Sequence, residues 1–150
     1  MKNYNIIISR EGSIGRRFIN HSEVIQLLSE YNFKEYKLEF MSENEKIHLF
    51  SNAKNIIGAN GAGLINLIYC KNANVIAITG KNSQRFENRT LRSIFEDISS
   101  SLGLNYNELL SELSYSSYTN DNFGSSLHEY DIYVDLKQLT NLMKKTNMIK

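Results

Sequence analysis

Between Asn55 and Asn66 the chain reads N-I-I-G-A-N-G-A-G-L-I-N, and few folds accommodate such a stretch. Asn55 to Gly58 has the apolar character of a short buried strand. Ala59 to Gly63 is a glycine-rich turn, and a helix opens near Ala62. Glycines let the backbone turn sharply and approach whatever lies above it. The following helix directs free N–H groups and the positive end of its dipole at the turn, which suits an anion, most often a phosphate. A tight strand-to-helix turn without a ligand has the same signature, so the turn alone leaves both readings open.

The segments around it alternate. Tyr4 to Ser9 is a continuous apolar run, as expected of a strand covered on both faces. Asn20 and Glu23 have capping-box spacing ahead of a helix carrying Val24, Ile25, Leu27, Leu28 and Tyr31. Tyr36 to Phe40 alternates as a second strand. Ser42 and Glu45 form another capping box, before a helix with Ile47, Leu49 and Phe50 that ends near Asn52. Asn55 to Gly58 is the third strand, Ala62 to Cys70 a helix, and Asn74 to Thr79 the fourth strand. This β-α-β-α-β-α-β order predicts an α/β fold, a Rossmann-like parallel sheet with helices on both faces. Gly80 to Asn88 reads as a polar loop, and Arg89 to Leu102 as a helix stopped by Gly103. Asn105 to Leu113 is expected as a short helix and Ser114 to Ser126 as an exposed loop. Asp131 to Val134 is a last strand and Asp135 to Lys145 a terminal helix.

At 150 residues the length fits a single domain spanning 1–150. The net charge of +1 demands neither nucleic acid nor a membrane surface, so an anion site has to be a local cluster. No stretch is long enough to span a membrane, and the N-terminus runs straight into a strand without a cleavable apolar region. The single cysteine, Cys70, excludes an internal disulfide and fits a reducing compartment, hence a cytoplasmic location. It ends an apolar run and reads as a buried, inert thiol.

Three arginines stand near the glycine turn. Arg10 follows the first strand, on the same sheet edge as the turn, and Arg16 and Arg17 lie in the loop beyond it. Guanidinium forks match phosphate oxygens, so this group suits a diphosphate held without metal. Pairing of these arginines with Glu11, Glu23 or Glu35 is the competing reading. Asn60, Gly61, Ala62 and Gly63 form the turn itself. Asn66 lies about a turn into the helix, where a local backbone bond is the competing role. His21, His48 and His128 are isolated along the chain and receive no catalytic role. No His, Cys, Asp and Glu grouping has metal-ligand spacing, so neither metal nor cofactor is expected. The turn follows the third strand and lacks the lysine and Ser/Thr of a P-loop.

These features, in this order, resemble a known family. The pattern runs from Ser9–Arg10 and Arg16–Arg17 to Asn20 and Glu23, then Phe33, M-S-E-N-E at Met41 to Glu45, and L-F-S-N-A at Leu49 to Ala53. It closes on G-A-N-G-A-G-L-I-N at Gly58 to Asn66. The chain is similar to the C-terminal part of glycosyltransferase family 61, known in bacteria as capsular polysaccharide biosynthesis proteins. The resemblance covers Ile6 to Ile78 and is looser through Leu102 to Tyr106 and Tyr133 to Leu139.

The resemblance implies the donor-binding half of a two-domain GT-B enzyme that transfers a sugar, with inversion, from a nucleotide sugar, commonly UDP-linked, to a saccharide hydroxyl. Arg10, Arg16 and Arg17 fall on the family's basic positions, and Gly61, Ala62, Gly63 and Asn66 on its glycine-turn motif. Asn60 stands where the family usually has His, Glu45 where Gln is common, and Ala77 where an acidic residue is usual. The N-terminal acceptor domain is expected to be absent, leaving the catalytic base unassigned. A lone half is then expected to associate with a partner domain or with itself. The alternatives are a non-catalytic nucleotide-sugar-binding remnant and an interaction module.

Overall fold

The computed structural model describes residues 3–13, 15–80, 94–114 and 131–150. Strand β1 (Tyr4–Ile8) leads into helix α1 (His21–Glu30), then β2 (Phe33–Tyr36), a one-turn 3-10 helix at Leu38–Phe40, and α2 (Glu43–Ser51). Next come β3 (Ala53–Ala59), a longer 3-10 helix at Ala62–Tyr69, and β4 (Asn74–Gly80). The chain closes with α3 (Ile94–Ser101), β5 (Asn105–Ser114), β6 (Asp131–Tyr133) and α4 (Leu136–Lys145). The six strands lie in the order β2-β1-β3-β4-β5-β6. The first five run parallel, and β6 is antiparallel to β5. The alternating α/β reading therefore holds, with one antiparallel strand at the edge.

Both sheet faces are covered, as the continuous apolar strands require. Ile6, Ile8, Ile56, Val75 and Ala77 pack under α2, the longer 3-10 helix and α3. Ile7, Ile57, Ile76 and Ile78 face the other way, against Val24 and Leu28 of α1 and Leu139 and Met143 of α4. The alternation is the period of two that a strand imposes. Cys70 is buried, and desolvation pushes its thiol up to about 12, so it stays protonated and inert at neutral pH.

Asparagine sets the register at the amino end of the sheet. Asn5, Asn55, Asn74 and Asn105 stand opposite one another on four neighbouring strands. Each side-chain amide donates to the carbonyl of the next: Asn55 to Asn5 at 2.9 Å, Asn74 to Asn55 at 2.8 Å, and Asn105 to Asn74 at 2.9 Å. Asn55, only 1% exposed, sits inside the ladder. Asn55→Ala is expected to leave two half-buried groups, the Asn5 side-chain carbonyl and the Asn74 side-chain N–H, without their Asn55 partner and cost about 1–2 kcal/mol, a fall of several degrees in Tm. Thermal unfolding followed by circular dichroism checks this.

Four expectations need correction. The second strand is Phe33–Tyr36 rather than Tyr36 to Phe40. Phe33 is the buried residue that pairs with Asn5, whereas Leu38–Phe40 turns away and leaves Phe40 80% exposed. Asn105–Ser114 is a strand, not a helix, because β4 offers it a full parallel edge from Asn74 to Gly80. Ala62–Tyr69 winds as a 3-10 helix, not an α-helix; the Asn66 side chain donates to the Gly63 carbonyl at 2.9 Å, fixing that turn at three-residue spacing. Finally, Asn20 precedes α1 without capping it. Its side chain donates to the Val134 carbonyl at 2.8 Å and accepts from the Val134 amide at 3.0 Å. The box of Ser42 and Glu45 forms as expected. The loops expected at Gly80 to Asn88 and Ser114 to Ser126, and the start of the helix expected from Arg89, lie largely outside the described residues.

Candidate functional site: an arginine crevice at the switch point

Connections leave β1 and β3 in opposite directions across this sheet, because β2 lies on one side of β1 and β4 on the far side of β3. Loops leaving the carboxyl ends of two such strands diverge and open a crevice, where ligands of open α/β sheets bind. Ser9 to Asn20 leaves β1, and Asn60 and Gly61 leave β3. The candidate residues read from the sequence are thus drawn to one edge.

Gly61 is the floor. Its backbone is extended, with φ −178°, so any residue fits its dihedral angle, and what glycine supplies is room. A Cβ placed there would stand 3.1 Å from Nη1 of Arg16 and 3.2 Å from Nη1 of Arg10. Gly63 is a second close approach: its Cβ would meet Cγ2 of Ile8 at 2.9 Å. The first helical bond closes from the Leu64 amide to the Gly61 carbonyl at 2.9 Å. The amides of Ala62 and Gly63 therefore lie at the open end of the helix, where N–H groups have no partner within it.

Two cations thus converge on one glycine. Arg16 donates from Nη1 to the Asn60 carbonyl at 2.9 Å, and Arg10 from Nη2 to the Gly15 carbonyl at 3.3 Å. Neither forms an ion pair among the described residues. The Nε of each is buried and has no hydrogen-bond partner there. Burial and the nearby charge of Arg16 push the Arg10 guanidinium below its ordinary value, against the opposite pull of Glu39 and Asp131. Burial does the same to Arg16. Both remain charged at neutral pH, given how strongly guanidinium holds its proton. Arg16 also holds a left-handed backbone, φ 55°, directly after Gly15 at φ 68°. For a side-chain-bearing residue this conformation costs of order 1–3 kcal/mol and is characteristic of functional sites.

Arg17 goes elsewhere. Its Nη2 lies 2.7 Å from Oδ2 of Asp131 and its Nε donates to Oδ1 at 3.3 Å. The Arg17 amide also donates to Oδ1, at 3.0 Å. Backbone bonds from Ile132 to Arg17 (2.8 Å) and from Ile19 to Ile132 (2.9 Å) complete a short parallel bridge along β6. Adjacent arginines point apart: Arg16 into the crevice, Arg17 into an ion pair that anchors the loop. Asp131, the partner of Arg17, is missed by sequence reasoning, since the two are distant in the chain and no local pattern marks the pair.

Asn60 lines the turn, its side chain donating to Oγ1 of Thr79 at 3.2 Å and its amide bonding the Ile78 carbonyl at 2.8 Å. Asn66 is buried and bonds only to the turn among the described residues. Ala77, where an acid is usual in the resembling family, is fully buried on the face of β4 beside Gly58. No described helix is long and apolar enough to cross a membrane.

No curated protein matches the chain. The family model described as Glycosyltransferase 61 matches residues 2–77. That match runs from the first strand into β4 and contains every residue of the arginine crevice. It covers half of the chain, which belongs to the glycosyltransferase 61 family.

Proposed function

We propose that the crevice of Arg10, Arg16 and Gly61 binds the diphosphate of a nucleotide-sugar donor, with UDP-linked sugars as the preferred class. The observation that carries this is two half-buried guanidiniums meeting over one glycine without a carboxylate partner among the described residues. Such a pair repels itself, and an anion with several oxygens relieves that repulsion while satisfying the exposed forks. Family membership supplies the sugar chemistry. Ala62 and Gly63 contribute N–H groups, and Asn60 a polar edge. Arg17 contributes by fixing the loop, and Asn66 by holding the turn.

On this reading the fold serves as the donor half of a GT-B-type, inverting transferase of the capsular polysaccharide biosynthesis kind. A saccharide hydroxyl attacks the anomeric carbon, and the nucleoside diphosphate departs as its growing charge is neutralised by the arginines and amides. Among the described residues the crevice lining holds guanidiniums, an amide and glycines, none of which takes a proton at neutral pH. On this reading the base that deprotonates the acceptor comes from a partner domain or a second copy. Phe40, exposed beyond the carboxyl end of β2, marks a surface for such association. The lack of a base among the described crevice residues favours one second reading, a chain that binds donor without turning it over.

Calorimetry with UDP, UMP and uridine tests the proposal. Binding is expected to weaken at least tenfold from UDP to UMP and to vanish with uridine. Equal binding of UDP and uridine would refute a diphosphate site. Transfer assays with partner fractions then separate an active half from a donor-binding protein.

A further inference from the structure

We propose that Glu11, His21 and Glu35 form a site for a divalent cation of the zinc type. The three come from separate places: Glu11 opens the loop after β1, His21 begins α1, and Glu35 lies on β2. One ligand atom from each lies within 4.8 Å of the others. Nε2 of His21 and Oε1 of Glu35 are 3.1 Å apart. Two neighbouring ligands of one zinc ion, each bonded at about 2.0–2.2 Å, stand at about that separation.

A second observation points to a ligand. Oε1 of Glu35 is shielded from solvent and accepts no hydrogen bond among the described residues. The His21 imidazole lies at ion-pair distance from it without a hydrogen bond. A buried carboxylate oxygen left without a donor is costly. A cation held by Nε2 and Oε1 together removes that cost, and two carboxylates balance its charge. One imidazole with two carboxylates suits zinc, whereas magnesium and calcium favour oxygen ligands alone. The nearest competitor is Lys37, whose Nζ lies 2.9 Å from Oε2 of Glu11. Both of those side chains are exposed, so the ammonium is free to swing aside as Glu11 turns to the metal.

Bound there, the cation ties both ends of the arginine-bearing loop to β2. Along the chain these residues are far apart, which is why their spacing gives no metal signature. The proposal does not depend on the donor-binding reading, and its test contains no nucleotide.

Zinc chloride is titrated into metal-free protein by calorimetry, alongside His21→Ala, Glu35→Gln, Glu11→Gln and His48→Ala. One equivalent is expected to bind with micromolar or tighter affinity. Loss of His21 or Glu35 is expected to weaken it at least tenfold, Glu11→Gln severalfold, and His48→Ala not at all. Glu11 is exposed, so its variant reports on the metal even if Glu35→Gln fails to fold. Absence of saturable binding in the parent chain, or affinity unchanged in both Glu11→Gln and His21→Ala, would overturn the site.

Discussion

Replacing Arg10 and Arg16 together by alanine is expected to abolish measurable UDP binding while leaving the protein as stable as the parent or more so. Each charge-assisted contact to phosphate contributes about 1.5–3 kcal/mol, so losing two weakens binding by roughly 100-fold or more. Stability moves the other way. Both guanidiniums are charged throughout the neutral range, yet burial disfavours the charged form of each, and they face one another. A buried cation whose folded state binds its proton less well than the unfolded chain lowers stability wherever it is charged. Removing the pair is expected to leave stability unchanged or raise it slightly, the usual pattern when a binding site is dismantled. Urea unfolding beside calorimetry checks both halves. A double variant that binds normally, or that unfolds far more easily, would identify the arginines as structural.

The second large effect lies at Asp131. Its side chain is only 10% exposed, and it holds both the guanidinium and the backbone amide of Arg17. Asp131→Ala is expected to cost about 3 kcal/mol, since it removes a two-pronged, largely buried ion pair together with the acceptor of the Arg17 amide. UDP binding is expected to weaken about tenfold, because the anchored bridge sets the left-handed turn that presents Arg16. Arg17→Ala alone is expected to cost less, and the Asp131→Ala, Arg17→Ala double variant less than the sum, as residues sharing one ion pair are not additive. Chemical denaturation of the four proteins gives the coupling directly.

What the sequence made legible follows from the range of the forces involved. The strands Tyr4–Ile8 and Asn74–Gly80 are continuous apolar runs, and the box of Ser42 and Glu45 is local, so these emerged close to their true bounds. Asn105–Ser114 did not, because its leucines at 109, 110 and 113 fit a helix as well as a strand. The deciding factor is the open edge of β4, which no local window contains. The Asn20 and Arg17 side chains are likewise claimed by Val134 and Asp131, far along the chain. The asparagines at positions 5, 55, 74 and 105 look like a compositional habit until the parallel register lines them up.

At the site, the glycine turn and the arginine at the end of β1 stood out because topology alone carries them to one edge. The division of labour between Arg16 and Arg17 was hidden, since only the fold decides which neighbour faces Gly61. The glycine itself is needed for space beneath two guanidiniums, whereas a sequence suggests mainly its freedom of dihedral angle.

The central claim is that Arg10, Arg16 and the Asn60–Gly63 turn are one diphosphate site. Its most direct test is a ¹H–¹⁵N NMR titration of the chain with UDP, read residue by residue. The account predicts saturable shifts at the amides of Asn60, Gly61, Ala62 and Gly63 and at Gly15 and Arg16, together with the Nε–H signals of Arg10 and Arg16. The Asn5–Asn55 end of the sheet should stay still. Shifts confined to another surface, or none at millimolar UDP in a folded sample, would contradict it.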